Sequence, residues 1–296
     1  MSEAVEERSI GLTVGRAKEA PTAKHRKASP LTYAVLVISV LVSIFPLYWT
    51  FVVASNTTAV VSRRPPALLP GSLFLNNVQS VLDRTQFFRA LANSAIVSAT
   101  VAVSVIFFCT LAGFAFAKLR FRGRSVLFVI VIATLMVPVE LGIIPRFMIM
   151  SNLGWVNQLQ AVIVPGMVTA FGVFWMRQYI SAAVPNELLD AGRVDGCSTF
   201  RLFWSVVVPA VRPAAAILGL FTFLQSWNEF VWPLIVLRDP DKLTVQIALQ
   251  RLRDAYYEDY SLIMTGTLMA TIPVLILFIV AGKQIISGIM EGAIKG

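Results

Sequence analysis

The chain has 296 residues, of which 57% are apolar and only 14% charged, which places it among membrane proteins. Its single histidine (His25) and two distant cysteines (Cys109 and Cys197) argue against a zinc site and a disulfide scaffold. The formal charge of +9 indicates membrane orientation and contact with anionic lipid rather than nucleic-acid binding.

Hydrophobic runs divide the chain into a polar tail and a membrane domain. Residues 1–30 predict a cytoplasmic N-terminal tail, and residues 31–296 predict an all-α domain with six transmembrane helices. A helix needs about 20 apolar residues to cross a bilayer. The six predicted spans are Leu31–Ala54, Ala90–Ala117, Ser125–Pro145, Gln160–Met176, a segment within Val206–Leu237, and Leu262–Gly282.

Charge predicts which side each loop occupies. Four basic residues (Lys118, Arg120, Arg122 and Arg124) crowd the short link between spans two and three, and short basic links stay cytoplasmic. With an even number of spans, both termini and the loop after span four are then cytoplasmic. The arginines of loop 55–89, which would face outward, argue mildly against this orientation.

Span two carries small residues at intervals of four: Ser94, Ser98 and Ala102. Small side chains at this spacing let helices approach closely in lipid. The pattern predicts tight packing of this span within the bundle.

Two carboxylates interrupt the predicted spans, Glu140 in the third and Glu229 in the fifth. If the third span is a continuous helix from Ser125, Glu140 lies roughly 22 Å up a core about 30 Å thick, and Glu229 lies at a similar height. An ionisable group at that depth must face protein or water. The two carboxylates therefore either line the outer mouth of a polar pathway or are satisfied by neighbouring helices.

The segment Pro185–Pro213 is the most informative cytoplasmic feature. Pro185 and the acidic Glu187 favour a helix start, and Asp195 with Gly196 favours a stop. The short helix between them has a small-residue face that includes Ala191 and Gly192, suited to close approach by another protein.

Nucleotide-binding and catalytic motifs are missing from the sequence. It contains no G-x-x-x-x-G-K-[ST] phosphate loop, no G-x-S-x-G and no H-E-x-x-H. The chain is therefore predicted not to be an enzyme and not to cradle ATP itself.

The cytoplasmic segment resembles the EAA loop of ATP-binding-cassette importer permeases. The triplet is Asp190-Ala191-Gly192, the glycine is Gly196, and the closing pair is Val208-Pro209. The departures are Asp for Glu, Gly for the second Ala, and Val before Pro209.

A second resemblance narrows the family to carbohydrate-importer permeases of the MalG-like type. It is carried by Ser226–Leu234, which contains Trp227, Asn228 and Glu229. Pro138-Val139-Glu140 with Ile144-Pro145, the pair Asn93-Ser94, and the ending Gly288–Gly296 fit the same family.

The resemblance implies the type I importer permease fold and a set of partners. These are a homologous permease, two nucleotide-binding ATPase subunits that hold ATP and magnesium, an extracellular solute-binding protein, and a carbohydrate, in the inner membrane of a bacterium. It also implies that loop 185–205 couples the chain to the ATPase through Glu187, Asp190, Ala191, Gly192, Asp195, Gly196 and Pro209. The residues expected to line the substrate pathway are Glu140, Trp227, Asn228 and Glu229.

Alternatives remain open at this point. The solute could be glycerol phosphate or another polar molecule, with Arg146 serving an anion or extending to the membrane interface. A self-sufficient secondary transporter is a further alternative, although it leaves the cytoplasmic segment unexplained. In the outer loop Arg238–Ser261, Tyr256, Tyr257 and Tyr260 either contact the binding protein or solute or form an interfacial aromatic belt.

Overall fold

A computed structural model describes residues 29–61, 63–253 and 259–294. The N-terminal tail up to residue 28, Tyr256 and Tyr257 lie outside these ranges, so the predictions made for them are not addressed. Every regular element in the described ranges is helical, which confirms the all-α class. The helices are α1 (Pro30–Ala54), α2 (Thr58–Val61), α3 (Phe74–Arg84), α4 (Phe87–Lys118), α5 (Arg124–Thr134), α6 (Ile143–Asn152), α7 (Gln160–Gly166), α8 (Ala170–Ala183), α9 (Asn186–Val194), α10 (Thr199–Leu202), α11 (Val208–Ala210), α12 (Arg212–Asn228), α13 (Val231–Val236), α14 (Val245–Gln250) and α15 (Tyr260–Ile294).

The chain divides into two compact units between Phe45 and Pro46. In the first unit, the large apolar side chains of the α1 segment Leu31–Phe45 are exposed. A helix with apolar side chains all around suits a lipid environment. The second unit contains the remaining helices and both clusters of buried apolar side chains.

Helix α4 lies at the centre of the second unit. It has 32 residues, packs against α8 and α12, and buries Val97 and Val105 completely or nearly so. The small residues Ser94, Ser98 and Ala102 are all buried, which confirms the predicted close packing of this span. Its length of about 48 Å, at 1.5 Å per residue, exceeds a hydrocarbon core of about 30 Å.

Helices α4 and α8 meet backbone to backbone at Gly113. A Cβ atom on Gly113 would lie 2.8 Å from the Arg177 backbone nitrogen and 2.9 Å from the Met176 carbonyl carbon. Any side chain there would push the two helices apart, because the obstructing atoms belong to a helix backbone.

Four stretches are long and apolar enough to cross a membrane without a sharp bend: α1, α4, Gln160–Ala183 (α7 and α8 together) and Tyr260–Val280. Two further candidates are bent pairs. Arg124–Thr134 with Val139–Asn152 bends by 95°, and Thr199–Ala210 with Arg212–Asn228 bends by 77°. The described residues therefore contain four to six spans, depending on whether each bent pair counts as one.

The prediction of a continuous third span is wrong, and with it the depth assigned to Glu140. Helix α5 ends at Thr134, and the chain bends before a short 3-10 turn, Val139–Gly142. Pro138 lies at the break, where it lacks an N–H and disfavours helical backbone at Val137. A height obtained by counting 1.5 Å per residue from Ser125 does not apply across this bend.

Long-range hydrogen bonds group the loops at alternating ends of the bundle. The Lys118 ammonium at the end of α4 donates to the Asn186 side chain at 3.0 Å, which joins the basic link to the start of α9. At the other end of α4, Asn93 binds the backbone at Asp241 and Leu243. The basic link and the EAA-like segment therefore share one end, as the predicted orientation requires.

Candidate coupling and pathway sites

Helix α9 begins and ends as the sequence predicts. Glu187 lies in its first turn, where a carboxylate suits the positive end of the helix dipole. At the other end, Gly196 has φ +79° and its N–H donates to the Arg193 carbonyl at 3.0 Å, while the Cys197 N–H donates to the Gly192 carbonyl at 2.8 Å. This pair of bonds is a Schellman motif, which needs a left-handed residue at the glycine position.

One side of α9 packs against the rest of this chain. Leu189 is 2% exposed and joins the main core cluster. A Cβ atom on Gly192 would lie 2.5 Å from Cδ2 of Leu202 in α10. The close packing of α9 against α10 therefore favours a glycine at position 192. The prediction from the sequence was that Gly192 is small to allow a second protein to approach.

The other side of α9 forms an exposed surface that we call the α9 surface, comprising Glu187, Leu188, Asp190, Ala191 and Val194. Val194 is 89% exposed, which is unusual for so apolar a side chain. The carboxylate of Asp190 pairs with Arg193 at 2.8 Å. Asp195 and Gly196 are exposed beside it. The surface offers apolar contact and negative charge together.

The chain after α9 turns back towards the membrane through α10 and a π-helical turn, Phe203–Val207. The Ser198 hydroxyl accepts a hydrogen bond from the Arg201 N–H at 3.3 Å and caps α10. Pro209 follows the π turn and is exposed. Because proline has no N–H, it removes one helical hydrogen bond at the place where the helix geometry changes.

The predicted pathway residues of the fifth span cluster around the end of α12. Glu229 follows the last residue of α12, and its carboxylate accepts a hydrogen bond from the Trp232 N–H at 3.1 Å. The Trp232 indole N–H donates to the Ala161 carbonyl at 2.9 Å. Glu229 therefore satisfies one backbone donor in the first turn of α13, which makes it a structural residue as well as a candidate for solute contact.

Asn228 and Trp227 occupy different environments. Asn228 is exposed, and its Oδ1 accepts from the Gln246 amide at 3.4 Å. Trp227 is 2% exposed and stacks on Phe223 with ring centroids 5.6 Å apart. A solute could reach Asn228 directly in this conformation, whereas reaching Trp227 would require its packing to open.

Glu140 is exposed in the 3-10 turn that precedes α6. The next helix, α6, carries Arg146, whose guanidinium lies 4.9 Å from the centre of the Trp232 ring. This cation–π contact gives Arg146 a partner within the protein. It also joins the Glu140 segment to the α12–α13 break that carries Glu229.

Two residues that carried the family resemblance have a structural role that sequence reasoning missed. The Asn93 amide donates to the carbonyls of Asp241 and Leu243 at 3.0 and 2.9 Å, and the Ser94 hydroxyl accepts from the Val245 N–H at 2.8 Å. These bonds hold segment 241–245 against α4. The partners are about 150 positions apart in sequence, so no local signal could have revealed them.

We expect Asn93→Ala to destabilise the folded chain by about 1–3 kcal/mol, because it leaves buried carbonyl groups without donors. The measurement is the thermal midpoint of the purified protein in detergent. Asn76→Ala is the matched control, since Asn76 is exposed on α3. Equal midpoints for the two variants would contradict this role for Asn93.

A second long-range contact joins the start of α2 to the start of α15. The Asp259 carboxylate accepts hydrogen bonds from the hydroxyls of Thr58 at 2.8 Å and Ser261 at 2.6 Å, and from the Leu262 N–H at 3.3 Å. Burial raises the pKa of Asp259, but these hydrogen bonds together lower the pKa more, so it lies below the ordinary value.

This pKa predicts a pH-dependent contribution to stability. Because the folded pKa is below the unfolded value of about 3.9, the network stabilises the fold above about pH 4, and the stabilisation is lost as pH falls through the folded pKa. We expect Asp259→Asn to lower the thermal midpoint at pH 7, and the difference from the parent protein to shrink at pH 3. Asp83→Asn, at an exposed position, is the control; a difference that does not change with pH would contradict the prediction.

Membrane-length helices joined by short segments, one of which carries an exposed helix, define a multi-pass membrane protein. The chain belongs to the family described as the inner membrane component of binding-protein-dependent transport systems, which matches residues 109–282. It is a permease subunit and not an enzyme, since ATP hydrolysis in these systems belongs to a partner ATPase. The resemblance drawn from the EAA-like segment and Ser226–Leu234 is thereby confirmed.

Curated relatives cover nearly the whole chain. The arabinooligosaccharide transport permease AraQ of Halalkalibacterium halodurans is 33% identical over 92% of this chain and 99% of its own length. The lactose transport permease LacG of Rhizobium radiobacter is 32% identical over 93% and 99%. The sn-glycerol-3-phosphate transport permease UgpE of Escherichia coli K12 is 28% identical over 88% and 95%.

A solved structure confirms the fold. A chain from a bacterial ABC transporter involved in the import of the acidic polysaccharide alginate superposes with a TM-score of 0.73. The match covers 86% of this chain and 94% of that chain at 24% identity. The chain therefore has the fold of an ABC importer permease.

Proposed function

We propose that this chain forms half of the translocation pathway for a carbohydrate in an ATP-driven importer. The observation that carries the proposal is the identity of 32–33% to permeases named for arabinooligosaccharides and lactose, over more than 90% of both chains. The other half of the pathway would come from a homologous permease. ATP-driven closure of the partner ATPases would alternate the access of the shared cavity between the two sides.

The proposed assembly contains two ATPase subunits, which bind ATP and magnesium, and an extracellular solute-binding protein. The family description, which names both a binding protein and the inner membrane, supports this assembly. The carbohydrate permease domain would comprise residues 31–296, with both termini in the cytoplasm of a bacterium. No cofactor is assigned to this chain.

Coupling to the ATPase is proposed to occur through loop 185–205, by way of the α9 surface. Glu187 and the neighbouring Asp195 supply negative charge there, Asp190 adds a carboxylate paired with Arg193, and the exposed Leu188 and Val194 supply apolar area. Charge complementarity fixes register between partners, and buried apolar contact contributes affinity. The turn at Gly196 sets the direction in which the chain leaves the partner, and Gly192 and Pro209 shape the return towards the membrane.

The solute pathway is proposed to include Glu140, Asn228 and Glu229, with Trp227 behind them. The support is that Asn228 is exposed and Glu229 is half-buried at the α12–α13 break, where the helix is interrupted. Interrupted helices present backbone and side-chain polar groups to a polar cavity. Carboxylates and amides suit the hydroxyl groups of a sugar, because both accept hydrogen bonds.

Glycerol phosphate is a second candidate solute, supported by 28% identity to UgpE. A phosphate would require a free cation near the pathway. Arg146, whose guanidinium lies over the Trp232 ring, is the cation that would serve it. The carbohydrate proposal is favoured because the identity of 32–33% to the arabinooligosaccharide and lactose permeases exceeds the 28% to UgpE.

The test is reconstitution of the whole importer in proteoliposomes with its co-encoded binding protein. We expect arabinooligosaccharide or lactose to stimulate ATP hydrolysis and uptake, and glycerol phosphate to stimulate neither. Stimulation by glycerol phosphate alone would overturn the carbohydrate assignment. Concentrative uptake by this chain without any ATPase would instead indicate a self-sufficient secondary transporter.

A further inference from the structure

The link between α4 and α5 carries a concentration of positive charge that the proposed transport function does not use. Lys118, Arg120, Arg122 and Arg124 fall within seven residues, and no acidic residue lies between Lys118 and Val126. The Lys118 ammonium is engaged by Asn186. Arg120 and Arg122 are exposed.

The basic link forms one side of an open surface depression of about 450 Å³, lined by Arg120, Phe121, Gly123, Arg124, Ser125 and Val126. The shape of the link is fixed by the protein. The Arg124 guanidinium donates to the Leu119 carbonyl at 3.1 Å, and the Phe121 ring lies 5.9 Å from that of Phe116. Phe116 in turn packs against Phe128 of α5 at 5.5 Å. Cationic and aromatic groups are thus held together at the end of two apolar helices.

An exposed apolar face of α5 begins at the rim of this depression. Val126 is 65% exposed and lines the depression, and Val129 and Ile130 follow it on the same helical face, also exposed. Helix α5 has 11 residues, so it is about 16 Å long. That length is close to half of a hydrocarbon core of about 30 Å, the depth of one bilayer leaflet.

We propose that the α4–α5 link and the exposed face of α5 bind one anionic phospholipid, such as phosphatidylglycerol. Its phosphate would lie against Arg120 and Arg122, and its acyl chains would cover Val126, Val129 and Ile130. An anionic lipid supplies a negative head group to pair with the arginines and acyl chains to cover the apolar face of α5. A soluble protein partner satisfies only the first requirement, because it cannot follow α5 into the membrane. A homologous permease would cover the apolar face of α5 but would bring no phosphate to Arg120 and Arg122.

The test is lipid retention by the purified full chain, measured by native mass spectrometry from micelles containing equal amounts of phosphatidylglycerol and phosphatidylcholine. We expect the parent protein to retain phosphatidylglycerol preferentially. Removing two cations by R120Q/R122Q should reduce this preference about thirtyfold, because each basic residue near the surface contributes about fivefold. The charge-conserving R120K/R122K should keep most of it.

R63Q/R64Q is the matched control, since it removes the same charge from exposed positions between α2 and α3 and should leave retention unchanged. Equal retention of the two lipids by the parent protein would overturn the proposal. So would displacement of the lipid by inorganic phosphate alone, because the acyl chains would then contribute nothing. If R120Q/R122Q leaves lipid retention by the purified chain unchanged but weakens ATPase binding in the reconstituted importer, the surface belongs to that partner and the proposal is wrong.

Discussion

Replacing Gly196 with tryptophan is expected to abolish solute-stimulated ATP hydrolysis by the assembled importer while the protein still inserts into the membrane. Gly196 has φ +79°, a conformation that costs an L-residue about 1–2 kcal/mol. A Cβ atom there meets nothing within 4 Å, so the indole projects from the protein instead of clashing inside it. The bulk would stand beside the α9 surface and hold the ATPase away. We expect stimulated hydrolysis to fall at least tenfold, to the rate measured without solute.

Gly154→Trp is the matched control for backbone strain. Gly154 also has a positive φ (+67°) and open space around it, but it lies after α6, away from the α9 surface. This variant should keep its solute-stimulated hydrolysis. Wild-type activity in Gly196→Trp would refute the coupling assignment, and equal loss in both variants would attribute the effect to strain.

Introducing a leucine at Gly113 is expected to prevent folding. The obstructing atoms lie 2.8–2.9 Å from the position of a Cβ atom and belong to the α8 backbone, so no side-chain rotation can relieve the contact. Overpacking by a single small group already costs about 1–3 kcal/mol, and leucine adds three more carbon atoms. Size-exclusion chromatography of a fluorescent fusion should show loss of the monodisperse peak.

Gly113→Ala should still fold, with a lowered thermal midpoint. A graded effect from alanine to leucine would show that side-chain size at the contact between α4 and α8 causes the misfolding of the leucine variant. Gly142→Leu is the control, because nothing lies within 4 Å of a Cβ atom at Gly142. A monodisperse, fully stable Gly113→Leu protein would show that α4 and α8 do not cross as closely as described.

Local features were predictable where neighbouring residues determine them. Helix α9 follows from Pro185, Glu187 and Gly196, which act through caps, dipole and backbone freedom within a few positions. The burial of Ser94, Ser98 and Ala102 follows from spacing alone. Pro138 also predicts a helix break after α5, because proline disfavours helix continuation. The prediction of a continuous third span gave more weight to the apolar run on both sides of Pro138.

Features that depend on distant partners could not be read from the sequence. The Asn93 amide has its acceptors about 150 positions away, and nothing near Asn93 identifies them. Gly192 is small because of Leu202, a contact set by the path of the chain after α9. The hydrogen bond that Glu229 accepts from α13 depends on a break that its apolar surroundings conceal.

Helix α4 has attachments at both of its ends, and this has a mechanical consequence. One end holds the first residue of α9 through Lys118, and the other holds segment 241–245 through Asn93. An α-helix is stiff along its axis, because a change in its length would distort the hydrogen bonds of every turn. If the ATPase moves α9 as proposed, α4 would therefore carry that displacement along its length towards segment 241–245.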